Sequence, residues 1–320
     1  NLLVIGGGLG GCAAVVGLRK FDKDTEIIMV EPKDHCELYW AAYRSPFEPW
    51  VADGSLLSLT EWVETYNVKH VRSTVTKISK TSATLANGDS VDYDVVVVAT
   101  GADSPVPFLG RGLPRDDGTK ASRLLSLKEH GAKMLSANSI AVVGGGLVGT
   151  ELAGDIGAYA RMQGKDIAVT LIHSGPYLSH TNLSAKASKM VQGKLEKIGV
   201  KVILGERVNE TDGKFILAKS GESLDADQVI MTTGITPVNC FLKNTFPEAL
   251  NAEGWIETDD YFRVKGTAGK LFSIGDCSTF LPNSGAQVMD AIKTIGFNIS
   301  QTIGAVAKCE SAPSDARLKR

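Results

Sequence analysis

The sequence lacks the features that mark several large classes of protein. A formal net charge of −2 over 320 residues provides no basic surface for nucleic acid. No apolar run reaches the roughly 20 residues that a membrane-spanning helix needs. The cysteines are odd in number and form no C-x-x-C pair, so we expect neither a disulfide framework nor a metal site. They are Cys12, Cys36, Cys240, Cys277 and Cys309.

An initiator methionine is also missing, and the first apolar run already starts at Leu2. We therefore expect a longer precursor, with any targeting segment outside this sequence. Cytoplasmic, organellar and membrane-associated locations all stay open.

What the chain does contain is a repeated glycine turn. Gly6-x-Gly8-x-x-Gly11 follows the apolar run "LLVI", and Gly144-x-Gly146-x-x-Gly149 follows "IAVV". Each turn is followed by a helical stretch and a second apolar strand, which is the order found in dinucleotide-binding units.

The two copies also continue in the same way. Each has an alternating meander, with turns predicted at Asn87-Gly88 and at Asp212-Gly213, and then an apolar strand that ends in Thr-Gly. Gly101 follows Gly6 by 95 residues, and Gly234 follows Gly144 by 90. The chain therefore contains an internal repeat.

A dinucleotide is the ligand that best explains each turn. A helix N-terminus offers unpaired N–H groups and a partial positive charge to a pyrophosphate, and the glycines let the backbone approach it. The alternative is a glycine turn without a ligand, which is harder to accept for two copies in matching contexts.

The residue at the end of the second strand differs between the copies. In the first copy, "TEIIMVE" ends in Glu31, where a carboxylate accepts ribose hydroxyl groups; the alternative is an exposed acid at a strand end. In the second copy, "VTLIHSG" has His173-Ser174 instead. Without an acid to repel the extra phosphate of NADPH, the preference between NADH and NADPH stays open.

A third signal lies near the C-terminus. "KLFSIGDCS" is an apolar strand that closes on Gly275-Asp276, and "AQVMDAIKTIGFNISQTI" after it has helical spacing. Alone this is a common turn. After two dinucleotide units, Asp276 resembles the aspartate that binds the ribityl chain of FAD, and the helix N-terminus near Val288 and Met289 would face the flavin ring.

With these motifs the chain resembles the two-dinucleotide flavoprotein reductases. It is most similar to the apoptosis-inducing-factor-like, ferroptosis-suppressor type of NAD(P)H:quinone oxidoreductase. The segments that carry the resemblance are "EPKDHCELYWAAYR", "VTLIHSG", "GERV", "TTGITPVN" and "IGDCS".

The resemblance implies an α/β fold of two Rossmann-like domains, the second inserted in the first and each with an antiparallel meander. The expected units are residues 1–115 (FAD, first part), 116–235 (NAD(P)H), 236–308 (FAD, second part) and 309–320 (a polar tail). Residues 101–118, "GADSPVPFLGRGLPRDDG", are predicted to be a linker. Relatives usually continue past the final helix with a segment over the flavin, so a quinone site and docking to a membrane or larger assembly stay open here.

The same resemblance implies the binding residues. For FAD they are Gly6, Gly7, Gly8, Gly10, Gly11, Glu31, Arg44, Val75, Thr100, Gly101, Asp276, Val288 and Met289, and for NAD(P)H they are Gly144, Gly146, Gly149 and Gly234. Read without the resemblance, Arg44 could be a surface arginine and Val75 a core residue. Glu151 is expected to contact the nicotinamide riboside; otherwise it is an acid favoured near a helix N-terminus.

The expected reaction takes hydride from NAD(P)H onto flavin N5 and passes electrons to a small acceptor of quinone type, without a proton-shuttling side chain in the first step. Two alternatives stay open. One is a flavin-bound accessory subunit of a larger complex. The other is a peroxide or disulfide reductase that depends on Cys36, which would need a thiolate at the flavin.

Other reactive side chains receive ordinary interpretations. Cys277 is interpreted as buried packing, and His173 as an ordinary strand-end residue; the alternative for His173 is a group that pairs with a phosphate. The remaining histidines show no ligand spacing and are interpreted as surface residues: His35, His70, His130 and His180.

Overall fold

The computed structural model describes residues 1–109, 117–279 and 285–308. Within these ranges the chain forms both helices and strands. The helices are α1 (Leu9–Leu18), α2 (Pro49–Ser55), α3 (Leu59–Thr65), α4 (Lys120–Leu135), α5 (Leu147–Met162), α6 (Ala185–Lys197) and α7 (Gly285–Lys308). The strands are β1 (Leu2–Ile5), β2 (Ile27–Val30), β3 (His35–Glu37), β4 (Leu56–Ser58), β5 (Val68–Val71), β6 (Val75–Ile78), β7 (Ser82–Leu85), β8 (Ser90–Asp92), β9 (Val95–Val98), β10 (Ala102–Asp103), β11 (Ser139–Val143), β12 (Ala168–His173), β13 (Lys201–Leu204), β14 (Val208–Thr211), β15 (Lys214–Leu217), β16 (Gln228–Met231), β17 (Thr236–Pro237) and β18 (Leu271–Ser273).

The first sheet is parallel and has the order β18-β9-β1-β2-β5. Its central strands read "LLVI" and "VVVV" and are buried on both faces, as expected where a parallel sheet is covered on both sides. One face packs against α1 and α7, and the other against the meander β6-β7-β8 and residues 242–277.

The second sheet is also parallel, in the order β13-β12-β11-β16. The strands β11, β12 and β16 correspond to β1, β2 and β9, so the repeat in the sequence is a repeat in the fold. The predicted α/β class with Rossmann-like units is confirmed.

Antiparallel pieces accompany both sheets. The first meander has three strands, β6-β7-β8, and the second is the two-stranded hairpin β14-β15, each with its turn at the predicted residues. A short antiparallel pair, β10 with β17, joins the segments that follow Gly101 and Gly234. The segments that end the two copies are therefore hydrogen-bonded to each other.

The C-terminal part of the described chain returns to the first sheet. Strand β18 pairs with β9, and α7 crosses α1 where Gly17 faces Gly296. A Cβ on either glycine would overlap the backbone of the other helix. This close crossing fixes the N-terminus of α7 beside the end of β1. The domain boundaries expected from the sequence stay predictions, and residues 309–320 lie outside the described residues.

The predicted linker is partly wrong. Val106, Phe108 and Leu109 are buried, and Phe108 accepts a hydrogen bond of 2.6 Å from Arg123 on α4. Apolar side chains within a Pro- and Gly-rich stretch are sufficient to anchor it in the core. Residues 110–116 lie outside the described residues.

None of the helices in the described part of the chain is long and apolar enough to cross a membrane.

Candidate functional site

The first glycine turn lies where β1 meets α1. Gly6 has φ of 105°, and a Cβ there would overlap the carbonyl oxygen of Ala99. A Cβ on Gly10 would lie 3.0 Å from the carbonyl oxygen of Ile274, and one on Gly11 would overlap the carbonyl oxygen of Gly6. A Cβ on Gly8 would instead point into open space. Three glycines are thus needed for packing, whereas Gly8 leaves room for a ligand.

The second turn repeats this arrangement between β11 and α5. Gly144 has φ of 112° and lies against Thr232, and a Cβ on Gly149 would overlap the carbonyl oxygen of Gly144. Nothing lies within 4 Å of a Cβ placed on Gly146.

Both turns fit a pyrophosphate. Helices α4 and α6 are capped by the side chains of Thr119 and Ser184, whereas the N-cap residues of α1 and α5 are Gly8 and Gly146, which have no side chain to accept an N–H. The first turns of α1 and α5 contain no acidic residue either. Their N-terminal N–H groups therefore meet the open space beside the glycines, where an anion is favoured.

Glu31 follows β2 directly and is 6% exposed. Its carboxylate accepts the N–H of Gly7 at 2.7 Å and that of Lys33 at 3.0 Å. A carboxylate has about four acceptor positions, so two remain for ribose hydroxyl groups. The position and chemistry of Glu31 fit the adenosine half of FAD.

A cleft of about 510 Å³ separates the segment at residues 40–44 from α5 and α6. Trp40, Tyr43 and Glu151 contribute to its walls. Burial raises the pKa of Tyr43 to about 12, and the nearby negative charges of Glu151 and Asp276 add to this shift. Tyr43 therefore lies close to both the predicted nicotinamide contact and the predicted flavin aspartate.

Trp40 connects the same cleft to α7. Its ring packs against Gly285 at the start of that helix, and a Cβ on Gly285 would meet the ring. The cleft thus adjoins Glu151, Asp276 and the N-terminus of α7, which are three features that the sequence assigns to two different cofactors.

Acidic side chains line the α5 wall of the cleft. Partial burial raises the pKa of Glu151. Burial also raises the pKa of Asp155 to about 6, against the opposing charge of Arg44. Arg44 itself is exposed and forms a 2.5 Å ion pair with Glu48. This wall therefore holds a carboxyl group whose pKa is raised to about 6.

The other predicted FAD residues fall into two groups. Thr100 and Gly101 follow β9 beside the first turn, and Gly101 has φ of 67°. Val75 and Val288 are buried in the core, at 6% and 3% exposure, and Val75 pairs with Leu85 of β7. Met289 is exposed. Gly234, predicted for NAD(P)H, follows β16 with φ of 82° and open space around it.

Cys36 does not stand alone. It is buried in β3 and hydrogen-bonds with Cys12 on α1, which lowers the pKa of Cys36. This hydrogen bond and burial together raise the pKa of Cys12, whose Sγ lies 3.6 Å from the carbonyl oxygen of Gly7. The thiol pair therefore lies beside the first glycine turn. Cys277 is fully buried, as predicted.

The interpretation of His35 as a surface residue is wrong. Its side chain is completely buried because β3 pairs with β4 and is covered by α3, and its Nδ1 lies 3.0 Å from Asp34 Oδ1. His173 is 8% exposed and interacts with His180.

Sequence reasoning missed Tyr43, Trp40 and Asp155 as parts of one cleft. Tyr43 and Trp40 lie within the segment that carries the family resemblance, and this location was the signal that could have identified them as site residues. Asp155 follows Glu151 by one helical turn, a spacing that puts both carboxylates on one face of α5.

The comparison with known proteins agrees with this arrangement. Residues 1–299 match the pyridine nucleotide-disulphide oxidoreductase family. The chain belongs to this family. Family membership makes the protein an oxidoreductase that uses FAD and NAD(P)H, and both glycine turns and Glu31 suit these dinucleotides.

Curated relatives are similar over most of their length. The apoptosis-inducing factor homolog A of Dictyostelium discoideum is 29% identical, and the match covers 88% of this chain and 71% of that protein. The ferroptosis suppressor protein 1 of Homo sapiens is 24% identical, and the match covers 87% and 74%.

Solved structures show the same fold. The sulfide:quinone oxidoreductase from the hyperthermophilic bacterium Aquifex aeolicus has a TM-score of 0.78 at 16% identity, with 95% of this chain and 77% of that chain covered. A ferredoxin reductase from Rhodopseudomonas palustris has a TM-score of 0.74 at 17% identity, with 93% and 76% covered. The family name refers to a disulphide, yet this sequence has no C-x-x-x-x-C pair.

Proposed function

We propose that the protein oxidises NAD(P)H and transfers the electrons through FAD to a diffusible acceptor of quinone type. In this proposal the first glycine turn, with Glu31 and Asp276, binds FAD, and the second binds NAD(P)H. The reactive rings of both would meet at the cleft beside Tyr43 and Glu151.

The observation that carries this proposal is the composition of the cleft. Glu151 comes from the second copy, while Asp276 and the start of α7 belong to the first sheet, and Tyr43 and Trp40 bridge them. Among the described residues, no cysteine contributes to the walls of this cleft. Electrons that leave here therefore have no protein disulfide to reduce, which favours a small acceptor molecule.

Each part of the chain then has a separate task. Bound FAD supplies the hydride acceptor and the electron store. The N–H groups at the start of α1 and α5 hold the two pyrophosphates, and Glu31 holds a ribose. The N-terminus of α7 brings a partial positive charge to the cleft, which favours negative charge on a ring bound there.

The cleft also suits a quinone. Trp40 and Tyr43 offer aromatic surface to a planar ring. A quinone that receives two electrons also takes up two protons, and a carboxyl group with its pKa near 6, such as Asp155, can hold one of them at the cleft wall near neutral pH.

The acceptor profile tests the proposal. The FAD-loaded protein is reduced anaerobically with NADH, and reoxidation is followed with a short-chain benzoquinone, an aromatic disulfide and hydrogen peroxide in turn. We expect rapid flavin bleaching and fastest reoxidation by the benzoquinone. A flavin that is hardly bleached by either NADH or NADPH would indicate an accessory subunit instead, and would refute the proposal.

One observation favours a second candidate, the thiol-dependent reductase. The hydrogen bond from Cys12 lowers the pKa of Cys36 and so favours a thiolate there. Replacing Cys36 by Ser would abolish peroxide or disulfide reduction in that case and leave quinone reduction intact, with Cys12→Ser as the matched variant. Both thiols lie by the first glycine turn and not in the cleft, so we expect Cys36→Ser to keep quinone turnover.

A further inference from the structure

We propose that His173 and His180 together bind the 2′-phosphate on the adenosine ribose of NADPH. The pair increasingly favours NADPH over NADH as the pH falls. The inference rests on the proposed binding of NAD(P)H at the second glycine turn. It does not depend on the electron acceptor.

His173 occupies the same position as Glu31. In the first sheet Ile5 pairs with Val30, and Glu31 follows. In the second sheet Val143 pairs with Ile172, and His173 follows. Both residues therefore lie one step beyond equivalent strand pairs, at the edge where the ribose of a dinucleotide is bound.

The two residues also make the same hydrogen bond. The N–H of Gly7 donates to Glu31 Oε2 at 2.7 Å, and the N–H of Gly145 donates to His173 Nδ1 at 3.1 Å. Each glycine is the second of its GGG triplet. The imidazole thus replaces the carboxylate in both place and hydrogen-bonding role, but without the negative charge.

The hydrogen bond from Gly145 fixes the tautomer of the histidine pair. An amide N–H can only donate, so His173 Nδ1 carries no proton and Nε2 carries one. His173 Nε2 lies 3.0 Å from His180 Nδ1, and the N–H of His173 therefore donates to that atom. In its neutral form His180 consequently keeps its proton on Nε2. His180 is exposed and Tyr177 packs edge-on against it.

Few charged residues flank the histidine pair along the chain. Residues 174–184, which carry His180, contain no acidic or basic residue besides it, and the first turn of α5 contains no acidic one. On the side of β13 and β14, Glu206 donates its N–H to the carbonyl oxygen of His173, and its carboxylate accepts the N–H groups of Arg207 and Lys219.

A proton enters this pair only by breaking a hydrogen bond. On His173 it would replace the contact with the N–H of Gly145, and burial and His180 already lower the pKa of His173. On His180 it would occupy Nδ1 and displace the N–H of His173. The exposed His180 can turn outward to keep such a proton, and a 2′-phosphate with close to two negative charges stabilises it there.

This mechanism predicts the direction in which protons are exchanged when NADP⁺ binds. The 2′-phosphate itself has a pKa near 6, so its own protonation at lower pH weakens binding and its binding to cations releases protons. Binding through the histidine pair takes protons up. The direction of proton exchange therefore separates the two effects.

The test is calorimetric titration of the FAD-loaded protein with NADP⁺ and with NAD⁺, between pH 6 and 8, in two buffers of different ionisation enthalpy. We expect the ratio of the NAD⁺ to the NADP⁺ dissociation constant to rise about fivefold to tenfold from pH 8 to pH 6, since each linked proton contributes at most tenfold per pH unit. We also expect net proton uptake with NADP⁺ beyond that with NAD⁺.

Three variants test the separate roles of the two histidines. His180→Asn should remove the additional proton uptake while NAD⁺ binding stays within about twofold, and His130→Asn, on α4, is the matched control that should change neither. His173→Glu places a carboxylate at the ribose and should weaken NADP⁺ by at least about tenfold, because like charges would then face each other, while NAD⁺ should bind at least as tightly because the carboxylate can accept its 2′-hydroxyl group.

A pH-independent ratio, proton release with NADP⁺, or unchanged NADP⁺ affinity in His173→Glu would each overturn the inference while both nucleotides still bind. If neither nucleotide binds the wild-type protein, the proposed function itself fails and the inference fails with it. The visible flavin spectrum of each variant reports correct folding independently of turnover.

Discussion

A buried ion pair should hold the cleft segment to α4. Arg123 on α4 and Glu37 in β3 are each 3% exposed in their side chains, and Arg123 Nη2 lies 2.7 Å from Glu37 Oε1. The same nitrogen donates to the carbonyl oxygen of Phe108 at 2.6 Å, and Nε lies 3.2 Å from both carboxylate oxygens. Since β3 leads directly into Trp40 and Tyr43, this pair supports one wall of the cleft.

Removing one partner should be much worse than removing both. Arg123→Met leaves a buried carboxylate without its guanidinium group, which lowers the free energy of unfolding by about 3–5 kcal/mol. The double variant Glu37→Leu/Arg123→Met should lose only about 1–2 kcal/mol, mainly through the hydrogen bond to Phe108. The coupling energy between the two sites should therefore exceed about 2 kcal/mol.

Urea unfolding of the FAD-loaded protein, followed by circular dichroism and flavin fluorescence, measures these differences. The matched control is Lys120→Met at the exposed pair of Lys120 with Asp53, where the ammonium and carboxylate are 2.9 Å apart and the loss should stay below about 1 kcal/mol. If Arg123→Met costs no more than this control, or if the double variant equals the sum of its singles, the reasoning about desolvated charge is refuted.

Three further predictions concern the cofactor site. Glu31→Gln turns an amide donor toward the N–H of either Gly7 or Lys33 and should weaken FAD binding at least about tenfold in fluorescence titrations; unchanged affinity would remove Glu31 from the adenosine site. Gly296→Val forces α7 away from Gly17 and should lower the free energy of unfolding by about 1–3 kcal/mol or more, with Gly304→Val, which has open space, as the control. The pKa of Asp155 is raised to about 6, above its unfolded value, so its ionisation opposes folding as the pH rises from about 4 through 6. Asp155→Asn should therefore raise the free energy of unfolding by roughly 1 kcal/mol at pH 8, after a discount for solvent exposure, and leave it unchanged at pH 4. Urea titrations at both pH values measure this difference.

The parts of the fold that local sequence determines could be predicted. The strands around Gly6 and Gly144 are short apolar runs bounded by glycine turns, and both hairpin turns carry Asn-Gly or Asp-Gly. Each of these signals lies within a few residues of the feature that it specifies. The α/β class and the repeat follow from them.

Features that depend on distant contacts could not be predicted. Phe108 lies in a stretch with the composition of a linker, and only its contact with Arg123 shows why it is buried. His35 is polar, but the pairing of β3 with β4 encloses it. Cys12 and Cys36 are 24 residues apart and meet only because α1 and β3 lie side by side.

The candidate site likewise contains residues that the sequence identifies and residues that it does not. Its glycines and Glu31 were identifiable because backbone geometry and a strand-end charge leave a pattern in the sequence. The cleft was not, because Trp40, Glu151 and Asp276 come from three separated segments that only the return of β18 and α7 brings together.

The comparison of the two glycine turns suggests how one fold unit serves two ligands. The backbone hydrogen bonds from Gly6 to Val30 and from Gly144 to Ile172 have nearly equal lengths, 2.9 and 2.8 Å, so both turns present their N–H groups in the same way. The strand-end residue is what differs. Because a pyrophosphate is common to FAD and NAD(P)H, the shared backbone cannot distinguish them, and in our proposal the discrimination comes from the strand-end side chains Glu31 and His173 beside the ribose.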